Sequence, residues 1–209
     1  MICDARLSAL RDAVSGVLGE KRYRHTLGVE EAAVTIGEFC LPDKLYELSC
    51  AALLHDIAKE MPMDEQLSIM QRSGVEFTEE DYASKALFHS FAAPTVIKER
   101  FSSFATSEVL SAVFKHTSAD PAMSVFDEII FIADFVEEGR EYSACKERRT
   151  RLLSGLKDAR TPEERLSVLH IAVLDVIDFT IKFLEEKGKA VNSRMLLARK
   201  SIASKIKRK

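Results

Sequence analysis

Apolar residues recur at helical spacing along almost the whole chain, and no stretch shows the sustained alternation of a half-buried strand. The pattern predicts an all-α protein. Leu7, Leu10, Val14, Val17 and Leu18 mark a first helix, ended by Gly19. A second is expected over about residues 25–40, with Pro42 closing the gap after it. A third is expected over 44–59, with Leu45, Leu48, Ala52 and Leu53 on one face. Pro62 can open the next helix, because a first-turn residue needs no N–H, and Gly74 can close it. Further helices are predicted around 89–100, 107–116 and 122–137. The clearest start signal is Thr161-Pro162-Glu163-Glu164, a cap, a first-turn proline and a capping box. The helix it opens is expected to reach about Lys187 and stop at Gly188. An amphipathic stretch from Asn192 onward ends in basic residues. With no internal repeat and no linker, one domain is expected over 1–209. Its core should lie at about 20–190, with a basic helical tail over about 192–209.

Composition narrows this only slightly. The chain has 209 residues, enough for a substantial core, and its net charge of −3 gives no overall attraction to nucleic acid or an anionic membrane. Cys3, Cys40, Cys50 and Cys145 lack C-x-x-C spacing, which points to a reducing compartment. No run approaches a membrane span, and the first residues lack the apolar stretch of a secretion signal. A cytoplasmic protein is the expectation. The basic run Arg199, Lys200, Lys205, Lys207, Arg208 and Lys209 is expected to be a solvated face or end, and nucleic acid is not an expected partner. The sequence leaves a homodimer open.

The placement of histidine and aspartate is more informative. Of five histidines, His25, His55, His89 and His116 stand at or near predicted helix ends. His55-Asp56 closes the apolar run Cys50-Ala51-Ala52-Leu53-Leu54, and Asp134 interrupts Ile129-Ile130-Phe131-Ile132-Ala133. An unpaired carboxylate within such a helix is costly to bury, and a divalent metal removes that cost. Imidazole with carboxylate suits Fe, Mn, Co, Ni or Zn better than Ca. On a helix, neighbours such as His55 and Asp56 point about 100° apart and can serve two ions. His170, at helical spacing with Leu166, Val173 and Leu174, is expected in the core. Phe77, Phe88 and Phe91 are expected there too, rather than against a base.

Arg24-His25-Thr26-Leu27-Gly28-Val29 and Ala51-Ala52-Leu53-Leu54-His55-Asp56-Ile57-Ala58-Lys59 resemble the opening of an HD-domain protein, more narrowly of the YqeK family of bacterial hydrolases. Leu87-Phe88-His89-Ser90, Phe114-Lys115-His116-Thr117, the stretch 132–140 and the stretch 182–189 extend the likeness over about residues 20–200. The resemblance implies an all-helical HD-type bundle with two divalent metals, usually iron. It also implies symmetrical hydrolysis of diadenosine tetraphosphate to two ADP by a hydroxide bridging the metals. Carried across, His25, His55, Asp56 and Asp134 would hold one metal, Asp56 would bridge, and His89 and His116 would hold the second. Asp56 and Lys59 are the expected catalytic groups, and Lys59, Thr117 and Arg140 the expected substrate contacts. Arg140 could equally cap the helix carrying Asp134, and Arg24 is expected to be structural.

The chain departs from the family at three places. Ser90-Phe91-Ala92 follows His89 instead of a Gly-Pro step, and Glu138 replaces a proline before Gly139-Arg140. After Thr117 the family has Thr-Gly-Arg-Pro-Gly-Met-Ser, whereas this chain has Ser118-Ala119-Asp120-Pro121-Ala122-Met123-Ser124. Asp120 thus replaces a cation near where phosphate is expected. Alternatives are another HD nucleotide phosphohydrolase (dNTPase, nucleotidase or alarmone hydrolase) and a metal-dependent nucleotide-binding scaffold with little turnover. The ligand is expected to be a dinucleoside polyphosphate or a nucleoside diphosphate.

Overall fold

The most apolar helix in the N-terminal half ends up at the centre. The computed structural model describes Ile2 and residues 4–207, and every regular element among them is helical. The chain runs through α1 (Ala5–Ser15), α2 (Glu20–Cys40), α3 (Leu45–Leu54), α4 (Met63–Arg72), α5 (Glu79–Ala83) and α6 (Phe88–Arg100). It continues through α7 (Ser107–Lys115), α8 (Val125–Val136), α9 (Ser143–Asp158), α10 (Pro162–Glu186) and α11 (Ser193–Lys207). Single 3-10 turns stand at Pro42–Lys44, Lys85–Leu87 and Ser102–Phe104. From Leu48 to Leu54 every residue of α3 is buried, as expected of a helix that is apolar all round. It packs against α1, α2, α7 and α8, while α10 lies across α2, α8 and α9 and carries α11. No helix is long and apolar enough to cross a membrane among the described residues. Cys40, Cys50 and Cys145 are free thiols, and Cys3 lies outside the described residues.

Several boundaries differ from expectation, each for a local reason. The first helix stops at Ser15, because Gly16 already takes the C-cap position, and Gly19 instead stands before α2. Helix α2 therefore starts at Glu20, a turn and a half before His25. No side chain caps it; the Gly19 N–H donates instead to Glu60 Oε2 at 2.7 Å, a partner 41 residues away. The third helix stops at Leu54 rather than running to 59. Beyond it, Ile57 and Lys59 donate to carbonyls three residues back, which tightens 55–60 into successive turns. His55 and Asp56 thus lie past a helix end, not within one. Helix α9 escapes the pattern because it buries only Cys145, Leu152 and Leu156. The Thr161 capping box is present, and α10 ends at Glu186 with Gly188 in the left-handed region at φ 64°.

Buried ion pairs tie the helices together. Glu30 on α2 is fully buried and accepts from Arg11 of α1, at 2.9 and 2.5 Å, and from Ser49 Oγ of α3. Glu128 of α8 is also fully buried and lies 2.6 Å from both His170 Nδ1 and Lys205 Nζ, which fastens α10 and α11 to α8. His170 is therefore half-buried in a structural pair rather than enclosed in the apolar core. The end of the chain is docked: Met195, Ala198 and Ile202 of α11 are buried, while Arg208 and Lys209 lie outside the described residues.

Asp81 anchors the start of α11. It receives Arg194 Nε and Nη2 at 3.0 Å and Asn192 Nδ2 at 3.2 Å. Burial pushes this carboxyl up, but hydrogen bonds from Arg194, the Thr78 N–H and Asn192 outweigh it and hold it at about 2. A carboxyl depressed on folding stabilises fully above its unfolded pKa of about 3.9, and that stability is lost as pH falls through the folded value. Asp81→Asn is therefore expected to cost about 2 kcal/mol at neutral pH. It should also flatten the decline in stability between about pH 4 and pH 2, as read by urea unfolding across that range.

Candidate metal centre

A helix leaves its last four carbonyls without partners, and two histidines of this chain occupy that position. His55 follows α3 and His116 follows α7. Each donates its Nδ1–H to the carbonyl three residues back, Ala52 at 2.6 Å and Val113 at 2.7 Å. This fixes the tautomer, so both Nε2 atoms are bare and point inward. His25, in the second turn of α2, is held differently: its Nδ1 donates to Glu137 Oε1 at 3.1 Å. Glu137 stands just past α8 and takes the Gly139 N–H at 2.5 Å on its other oxygen. Arg149 of α9 gathers the carbonyls of Val136, Glu137 and Arg140, pinning the whole turn.

Asp56, only 3% exposed, lies in the middle. Its Oδ2 faces His55 Nε2 at 3.5 Å and His25 Nε2 at 3.9 Å. Its Oδ1 faces the other way, to His89 Nε2 at 3.4 Å and His116 Nε2 at 3.6 Å. Asp134 of α8 closes the first side, with Oδ1 3.0 Å from His25 Nε2 and 4.0 Å from His55 Nε2. All six residues singled out as ligands from the sequence thus meet in one cluster. His25, His55 and Asp134 form one group whose donor atoms lie close enough to share an ion, and His55, Asp56 and His116 form another. His89 is the outlier. No carbonyl holds its ring, and its Nε2 sits 3.0 Å from Lys59 Nζ and 3.1 Å from Thr117 Oγ1.

The residues fit a divalent metal. His25 Nε2, His55 Nε2 and Asp56 Oδ1 are buried without a hydrogen-bond partner. Donor atoms about 2.0–2.2 Å from one ion lie roughly 3–3.5 Å apart, and those of the cluster stand 3.0–4.0 Å apart, within small side-chain adjustments of that spacing. Burial pushes His25 down, but the nearby carboxylates of Asp134 and Glu137 outweigh that and raise it to about 9. A positive charge at Nε2 is therefore favoured, whether carried by a proton or by a metal. Burial pushes Asp56 up, yet His55 and His116 hold it well below the usual carboxylate range, so it is ionised. Burial, followed by the charges of His116 and Lys59, keeps His89 well below the ordinary imidazole value.

Cations ring the cluster. Arg22, one turn before His25 on the same face, donates to Asp56 Oδ2 at 2.7 Å. Arg140 donates from Nη2 to Asp134 Oδ1 at 2.7 Å and from Nε to the Asp134 carbonyl at 2.9 Å, so it caps α8. Burial draws Lys59 below its usual value against the pull of Asp56 and Asp134. Arg24, by contrast, is exposed and paired with Glu20. Asp120, expected beside phosphate, is engaged elsewhere: it pairs with Arg194 at 3.4 Å and takes the Ala122 N–H at 2.8 Å. Ala119 beside it sits at φ 55°, the left-handed region that explains the family's glycine there. Phe88 and Phe91 are buried, and Phe77, Phe91 and Phe114 pack ring against ring.

Sequence reasoning missed Arg22, Gly28 and the role of Glu137. Spacing held a signal for the first two, since Arg22, His25 and Gly28 follow one another at i+3. A Cβ on Gly28 would run into Glu137 Oε2, well inside van der Waals contact. Gly28→Ala on a helix would otherwise stabilise by about 1 kcal/mol. Here it is expected to displace Glu137 from His25 and to cost roughly 10–100-fold in metal affinity or activity, read by metal titration beside a thermal melt.

Residues 22–139 match the HD domain family. The symmetrical bis(5'-nucleosyl)-tetraphosphatase of Bacillus subtilis is 30% identical over 175 residues, covering 83% of this chain and 85% of that one. The enzyme of the same name from Halalkalibacterium halodurans is 28% identical, covering 68% and 74%. A crystal structure described as a predicted HD superfamily hydrolase involved in NAD metabolism, from Clostridium acetobutylicum, superimposes with a TM-score of 0.81 at 31% identity. It spans 94% of this chain and 96% of its own. With the HD match over more than half its length and these relatives over most of it, this chain belongs to the HD-domain family, as a hydrolase of its YqeK-like branch.

Proposed function

We propose that this chain hydrolyses dinucleoside tetraphosphates, diadenosine tetraphosphate first among them, symmetrically to two nucleoside diphosphates. The observation that carries this reading is Asp56, whose two oxygens face two separate pairs of histidines. That is the arrangement a carboxylate shared by two ions needs, and the curated relatives bear the symmetrical tetraphosphatase name. His25, His55, Asp134 and Asp56 Oδ2 would hold one ion, and Asp56 Oδ1, His89 and His116 the other. Iron is the first expectation, and Mn, Ni, Co or Zn suit the same donors. When bound, the pair of ions supplies an activated water near neutral pH and Lewis-acid stabilisation of phosphoryl oxygen.

The protein side chains do the rest. Lys59 brings a half-buried ammonium beside His89, where charge develops on the phosphoryl group and the departing diphosphate. Arg22, held by Asp56, and Arg140, held by Asp134, keep further guanidinium N–H groups for phosphate oxygens. Thr117 offers a hydroxyl next to Lys59's partner. Chromatography of the products tests the reading. ADP as sole product from diadenosine tetraphosphate supports it. ATP with AMP would mean asymmetric cleavage, and turnover of a nucleoside triphosphate alone would favour another HD phosphohydrolase. Tight ADP binding without turnover would favour a scaffold.

A further inference from the structure

We propose that the cavity between the Lys85–Leu87 turn, the end of α10 and the start of α11 is a nucleoside pocket that opens onto the histidine cluster. The proposal rests on the phosphohydrolase reading above and adds where the base and ribose of the substrate lie. The cavity holds about 460 Å³, within the roughly 300–1,000 Å³ usual for small-molecule sites. Thr117 lines the cavity and also sits 3.1 Å from His89 Nε2. A ligand seated there would be one side chain from the cluster.

The choice of occupant follows from a contrast in lining. A second cavity, of about 880 Å³, reaches the cluster from the His25 side, and its lining is dominated by charged groups of both signs, Lys21, Arg22, Arg24 and Arg140 among Glu31, Glu137 and Glu138. The first cavity has Leu87, Leu184, Ala190 and Met195 on its walls, with Glu80, Lys85 and Lys189 as its charged groups. A flat base with its ribose prefers apolar walls bearing a few fixed polar groups. Asn192 is one such group: it is buried, lines the cavity, and is held by Asp81 and Ser84. Lys85 and Lys189, also on the wall, take part in no ion pair among the described residues and suit the phosphate joined to the ribose. The Asp81–Arg194 pair holds the start of α11 in place, so the pocket is built before a ligand arrives.

The test fills the pocket from its exposed rim. Ala86→Trp and, independently, Ala190→Trp place an indole on the wall without touching the buried core. In the metal-loaded protein, calorimetry compares ADP with inorganic tripolyphosphate, which carries the charge without the nucleoside. ADP affinity should fall at least about tenfold in both variants and tripolyphosphate affinity by less than about twofold. Equal loss for both ligands, or no loss of ADP binding in either variant, overturns the proposal. Wild-type turnover of diadenosine tetraphosphate is measured alongside. Turnover with ADP binding indifferent to both variants refutes the pocket and leaves the activity standing. The expected ADP loss without tetraphosphate turnover refutes the activity and leaves the pocket standing.

Discussion

Asp56→Ala is expected to cut hydrolysis of diadenosine tetraphosphate by about 10³-fold or more and to strip metal from the purified protein, with helicity retained. The size of the effect follows from position. Asp56 is the one carboxylate of the cluster whose oxygens face both histidine pairs, so its loss removes a donor from each side together. Asp134 serves only the His25 and His55 side and is partly engaged by Arg140. Asp134→Ala should therefore leave more residual metal than Asp56→Ala. Metal analysis and product chromatography on the same preparations read both effects. Full metal content with wild-type turnover in Asp56→Ala would return these histidines to an ordinary packing role.

Arg11→Met is expected to be the most damaging substitution outside the cluster, destabilising by about 3–5 kcal/mol. Glu30 has no exposure, and the methionine leaves its charge with Ser49 in place of a two-point guanidinium pair. For a chain of this size the loss corresponds to a melting point lower by roughly 10 °C. The double variant Arg11→Met/Glu30→Met should recover much of it, because removing both charges also removes the cost of burying one alone. Thermal and urea unfolding of the two variants decide the matter; a double variant as unstable as the single one would place the cost in packing rather than charge. The pair matters to the cluster as well. It ties α1 to α2, which carries His25, and Glu30 in turn reaches through Ser49 to α3, which delivers His55 and Asp56.

The sequence by itself determined the class of the fold and most helix cores, because periodicity of 3.6 and caps such as the Thr161 box lie within a few neighbouring residues. The same held for the core of α3, whose apolar face of Leu45, Leu48, Ala52 and Leu53 marks a helix, although its burial on every side came only with packing. Likeness to the HD-domain motifs singled out His25, His55, Asp56, His89, His116 and Asp134 together, where no one of them alone stands apart from an ordinary core or capping residue. Only the tertiary structure decided how they are used. The start of α2 depends on Glu60, 41 residues away, and no local pattern records it. Asp120, standing where the resembled family has an arginine, suggested a carboxylate facing phosphate, but Arg194, 74 residues on, claims it. Glu137 reaches His25 across 112 residues through the space left by Gly28, and Arg22 finds Asp56 across 34. Helix propensity is a property of neighbours in the chain. The division of Asp56 between two pairs of histidines is a property of neighbours in space, fixed only once α2, α3, α6 and α7 have packed.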